Sequence, residues 1–75
     1  MGSPTEFGVT ENTRPEEAVR LAMDREERAR AFYLGCATIV KDASVKKLFE
    51  FLAKEEGRHH DLLEGEYNRF LRREG

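Results

Sequence analysis

The sequence predicts an all-α fold: an antiparallel two-helix hairpin that pairs with a second copy of itself to make a four-helix bundle. Three observations carry this expectation. Two stripes of inward positions recur at helical spacing. The connection between them spans about four residues, which makes the helices antiparallel neighbours. Finally, a chain of 75 residues buries too small a core to be strongly stable alone. Cys36 is its one cysteine, so an intrachain disulfide is excluded. A metal, an oligomer, or both remain as sources of further stability.

The elements follow in order. Residues 1–12 lack periodicity and are rich in Gly, Ser, Thr and Pro, and read as a disordered lead-in, with Met1-Gly2-Ser3 an expression remnant. Residues 13–73 read as the helical hairpin. Helix 1 is expected over about residues 14–40, with Thr13 and Glu16 at capping-box spacing and Pro15 tolerated in the first turn. Its inward stripe is Ala18, Ala22, Glu26, Ala29, Tyr33, Cys36 and Val40, with steps of three and four. In the connection Lys41-Asp42-Ala43-Ser44, Asp42 is a good N-cap. Helix 2 is expected over about residues 43–72, with the stripe Val45, Leu48, Leu52, Glu56, His59, Leu63, Glu66 and Phe70. Leu34 and Phe51 lie off both stripes and suggest a further contact surface.

Composition narrows the function classes. Charged residues make up 37% of the chain, yet the net charge is −2. Dense, balanced charge marks an exposed helical surface; a nucleic-acid partner would call for a basic excess. The longest apolar stretch, Ala31 to Val40, is half of the roughly 20 residues a membrane span needs, so no membrane partner is expected. Residues 1–13 hold no apolar run of the signal-peptide kind. A cytoplasmic location, or one inside a cytosolic protein compartment, is the resulting expectation.

The interruptions of the stripes carry the chemistry. Glu26, Glu56 and His59 occupy positions where apolar residues belong. An ionised carboxylate in a core needs a partner, and neither stripe contains Lys or Arg. A cation between the helices is the simplest partner. Glu56 and His59, three apart, project from one helix face. Glu26 lies 14 positions before Val40 and Glu56 lies 14 after Asp42, so the two glutamates fall at nearly the same height. A two-fold axis would double this set to four glutamates and two histidines, the ligands of di-iron and di-manganese bundles. The expected cofactor is two iron ions per pair of chains, with manganese or zinc as alternatives.

The text from Glu26-Glu-Arg-Ala29-Arg-Ala-Phe-Tyr33 to Leu48-Phe49-Glu-Phe-Leu52-Ala53-Lys-Glu-Glu56-Gly-Arg-His59 resembles the ferritin-like superfamily, and within it the rubrerythrin-type di-iron proteins. The likeness covers about residues 16–72. It implies that Glu26 is a terminal carboxylate ligand, Glu56 a bridging carboxylate and His59 a terminal imidazole ligand. Tyr33 would be a phenol hydrogen-bonded to a ligand carboxylate. Members usually carry four helices. A two-helix chain is similar to the encapsulated ferritins, in which two hairpins build the site across a subunit interface. That similarity implies a homo-oligomer, at least a dimer, with a ring and an encapsulating shell protein left open. No shell-targeting tail is recognisable up to Gly75. The four-cysteine domain of rubrerythrin proper is missing from these 75 residues.

The reading that results is a ferroxidase-type oxidoreductase that binds Fe(II) and oxidises it with dioxygen or peroxide. The alternatives are rubrerythrin-like peroxide reduction with an external electron donor, and a non-catalytic helical dimerisation module with a structural metal. Several neighbours have simpler readings. Glu27 falls about 100° off the stripe, and His60 is expected to be solvated. Cys36 reads as a small apolar core residue. Glu66 fits an entry path or an accessory metal site, or else a pairing with an arginine or a place at the bundle's open end, and Glu55 is equally open.

Overall fold

The structure, a computed structural model, describes residues 3–74, the last two through their backbone alone. A 3-10 turn over Pro4–Phe7 precedes two long helices, α1 over Pro15–Ile39 and α2 over Ala43–Glu74. The helices pack against each other along the hairpin. Among the described residues there is no strand, and no helix is long and apolar enough to cross a membrane.

The start of α1 differs from the expected capping box. Pro15 takes the first helical position, and Arg14 is the extended N-cap residue with no side-chain cap. Thr13 is engaged elsewhere. Its hydroxyl oxygen accepts the Thr10 N–H at 2.8 Å and donates to the Gly8 carbonyl at 3.4 Å. These bonds fold the lead-in back on itself, so residues expected to be disordered take a defined path. Gly8 makes the bend possible: its φ of 87° lies in the left-handed region that glycine enters without a Cβ clash. Val9 N–H then reaches the Pro4 carbonyl at 3.0 Å. Phe7 comes to rest with the Arg25 guanidinium 4.9 Å from its ring centroid, a cation–π contact. This strap was not legible as structure because its order comes from single hydrogen bonds rather than periodicity.

The turn over residues 40–42 is closed from both sides. Asp42 Oδ1 accepts the Val45 N–H at 3.0 Å, as a cap should. That bond holds the Asp42 carboxyl below its ordinary value of 3.8. Lys46 reaches back and donates from Nζ to the Ala37 carbonyl at 2.8 Å. It thereby satisfies an end carbonyl of α1 and places a cation at the negative end of the helix dipole.

Only Ala37 and Ala53, 4% and 2% exposed, count as buried among the described residues. The seam between the helices runs close to them. Tyr33 stacks on Phe49, centroids 6.2 Å apart, and His60 lies against Glu27 from α1. On α2 this seam passes about one position C-terminal to the expected stripe. Val45 and Leu48, expected inward, are therefore exposed. The stripe straddles the seam and one broad side of the hairpin: Val45, Leu48 and His59 are exposed, while Leu52, Glu56, Leu63, Glu66 and Phe70 are half-buried.

The molecule measures 48 × 25 × 12 Å, and its least dimension is one helix diameter. It exposes 5819 Å² for 8.7 kDa, where size scaling gives a compact monomer about 4,700 Å². The excess is on the order of 1,000 Å², comparable to the roughly 800 Å² each partner contributes to a standard interface.

Two outcomes follow. Asp42→Ala should lower the thermal midpoint at neutral pH. Because the folded carboxyl titrates below 3.8, its contribution is present above that pH and fades as the pH falls through the folded value. The gap between variant and wild type should therefore narrow in acid, which melting curves at a series of pH values would test. Ala53→Leu should destabilise the hairpin by about 1–3 kcal/mol, since a larger side chain must push the helices apart; urea unfolding checks this.

Candidate metal centre

The seam brings together the polar residues that interrupt the stripes. Glu26 comes from the middle of α1, and Glu56 and His59 from adjacent turns of α2. One potential ligand atom from each lies within 4.8 Å of the others. His59 Nδ1 is 3.5 Å from Glu26 Oε2 and 3.7 Å from Glu56 Oε2, longer than ordinary N–H···O bonds. The three groups thus converge without satisfying one another. Glu26 Oε2 is shut off from solvent and has no hydrogen-bond partner.

Burial separates the three. The glutamate side chains are 18% and 19% exposed, while His59 is 53% exposed. His59 was expected inward. It instead sits at the lip of the cluster, on the uncovered broad side, because the seam passes to the other side of Glu56. The cluster therefore opens toward that side. Two partly desolvated carboxylates this close repel when both are ionised, and a divalent cation relieves both the repulsion and the orphaned oxygen. Two oxygen donors and one nitrogen donor suit iron, manganese or zinc, so the residues present fit a metal. They supply too few ligands to fill a six-coordinate ion.

The neighbouring acidic groups are engaged differently. Glu55 pairs with Arg58 at 3.1 Å, and Glu66 pairs with Arg69. The Glu66 choice between access path and arginine pairing thus goes to the arginine. Glu27 is exposed, as its off-stripe position implied, and meets Arg30 at 3.5 Å. His60 is half-buried rather than solvated. Its Nε2 lies 3.7 Å from Glu27 Oε2 and its Nδ1 3.8 Å from Asp61 Oδ1. The shift of the seam accounts for this, since His60 faces α1 more directly than His59 does. Among the described residues, no second set of three donors converges as Glu26, Glu56 and His59 do.

Tyr33 lies two turns from Glu26 and is held by its ring, stacked on Phe49 and edge-on to Phe32 at 5.7 Å. Within one hairpin, no hydrogen bond runs from its hydroxyl to a ligand carboxylate among the described residues. Cys36 is half-buried. Sequence reasoning missed the strap: Pro4, Phe7 and Val9 share a cavity with Glu26. The available signal was an aromatic residue followed by glycine in an otherwise aperiodic stretch.

The family model described as Rubrerythrin matches residues 4–71. Neither the comparison with curated proteins nor that with solved structures gave a match.

Manganese(II) or zinc(II) added to the metal-free protein should raise the thermal midpoint. A site bound only in the folded state gains about 2.7 kcal/mol at one hundred times its dissociation constant. Glu26→Ala should remove most of that rise and Glu27→Ala little of it, as scanning calorimetry with and without metal would show.

Proposed function

The chain belongs to the rubrerythrin family, and on that premise we propose that two hairpins pair through their open sides, enclose two iron ions, and oxidise Fe(II). The observation that carries this reading is the convergence of Glu26, Glu56 and His59 at an uncovered side of the molecule. One chain offers two carboxylates and one imidazole. Two chains offer the four glutamates and two histidines that di-iron bundles use. The excess exposed surface is of the size that a pairing interface needs.

Each residue then has a role that its placement supports. Glu56, the more buried of the two donors on α2, would hold metal as the shared carboxylate. Glu26 is the terminal carboxylate from α1, with its orphaned oxygen directed to a metal rather than to a hydrogen bond. His59 is the terminal imidazole, and its exposed position places it where the second hairpin would cover it. Tyr33 contributes a hydroxyl toward a ligand carboxylate once the second copy restricts the space around it. The metals supply the redox chemistry: two Fe(II) and one dioxygen, with two protons, give two Fe(III) and one hydrogen peroxide. The protein supplies position, charge and exclusion of water.

Ferroxidase action is favoured over peroxide reduction by a simple electron count. Oxidising Fe(II) draws its electrons from the substrate ions. A peroxidase cycle needs a separate electron donor for each turnover.

The test is iron content and solution mass on protein loaded anaerobically with Fe(II), followed by exposure to air. The expected result is about one iron per chain in an even-numbered assembly, with Fe(III) absorbance growing on aeration. Glu56→Ala should abolish iron uptake and oxidation. A well-folded assembly that takes no iron in excess Fe(II) would overturn the reading. Zinc held without turnover, with assembly lost in Glu56→Ala, would favour a structural metal instead.

A further inference from the structure

The lead-in strap makes a cavity that the metal cluster alone does not explain. It is a half-open groove of about 190 Å³ between the strap and α1. Pro4, Phe7 and Val9 line it from the strap, and Ala18, Leu21, Ala22 and Arg25 line it from α1. Glu26, one of the three converging donors, also contributes to its wall. The space exists because two positions on the inward stripe, one and two turns before Glu26, are alanines. Larger apolar residues there would fill it. The strap that roofs it is a built turn, held by the left-handed Gly8, the Thr13 hydroxyl and the Phe7–Arg25 contact.

The lining decides what can occupy such a place. A hydrated Fe(II) would have to shed water against carbon surfaces, which is costly. Hydrogen peroxide carries two O–H groups that need partners, and in this mostly apolar wall only Glu26 and Arg25 could meet them, at one side of the groove. A small apolar guest has no such cost, and apolar cavities in proteins take up gases of this kind. The cavity also sits at the end of α1 that the chain covers with its own strap. Its wall reaches Glu26, so a guest held there lies beside one of the converging donors.

We propose that this cavity holds dioxygen beside Glu26 and is the route by which the oxidant reaches the iron site. The inference rests on the iron-oxidising reading above and deepens it by naming where dioxygen is held and how it reaches the site.

The experiment uses the full chain in two arms. In the first, metal-free protein is exposed to xenon, an apolar stand-in for dioxygen, and methyl signals are followed by NMR. Ala18, Leu21, Ala22 and Val9 methyls should shift with xenon pressure, and Ala22→Leu should erase the response. In the second, Fe(II)-loaded protein is mixed with buffers of graded oxygen content. Ala22→Leu should raise the apparent KM for dioxygen several-fold while leaving iron per chain and the rate at saturating oxygen unchanged. Phe7→Ala, which lies off the helices, serves as the second variant; it removes the roof and should weaken the xenon response with the helical signal intact. An unchanged oxygen dependence in a variant that still binds iron would overturn the proposal, as would xenon shifts confined to other methyls. A xenon response in a chain that takes up no iron overturns the iron reading and leaves the cavity as a gas site, so the two failures are distinguishable.

Discussion

Two carboxylates from neighbouring helices, each less than a fifth exposed, share one small volume with a single imidazole. That concentration of negative charge sets the terms for the rest of the structure. In water each carboxylate would keep its own hydration. Here the helices bring them together and remove part of that water, leaving one oxygen with neither solvent nor donor. A lysine or arginine on either stripe would have made an ordinary ion pair and a closed core. The stripes carry none, and the nearby arginines instead serve Glu17, Glu27, Glu55 and Glu66 on the outer surfaces. The charge is thus left for something the chain itself does not contain.

The thinness of the hairpin bears on the same point. A molecule 12 Å deep has no interior in the usual sense, only a line of contact. Ala37 and Ala53 let the helices approach along that line, and the glutamates lie at its border rather than within it. A cluster at a border can be completed from outside, whereas one at the centre of a closed core could not. Phe32, Ile39, Phe51 and Leu62 are exposed as well, as a hairpin with so little interior leaves them.

Much of this was legible in the chain. The helices, the Asp42 cap and the convergence of Glu26, Glu56 and His59 follow from spacing, because helical periodicity and a short turn leave little freedom of register. Finer placement was not legible. A stripe read at steps of three and four marks a face about 100° wide, and the seam occupied only one edge of it. That offset exchanged the expected environments of His59 and His60 and exposed Val45 and Leu48. Thr13 carried a capping signal yet bonded to Thr10 and Gly8, a competition between two local hydrogen-bond schemes that sequence spacing cannot rank. The strap escaped notice because aperiodic segments reveal their order only through individual contacts.

The bond from Lys46 to the Ala37 carbonyl has a consequence for how the hairpin comes into being. It spans nine residues and ties the last turn of one helix to the first turn of the next. The chain can close that loop early, because short loops cost little entropy and form fast. The hairpin then zips outward from the turn. Glu26 and Glu56, 14 residues from either side of it, meet only when that zipping is about half complete. Residues 4–9 can join only after α1 extends to its far end. Cation capture is therefore a late event in such a sequence of steps, an arrival at a cleft already formed rather than a seed for the fold.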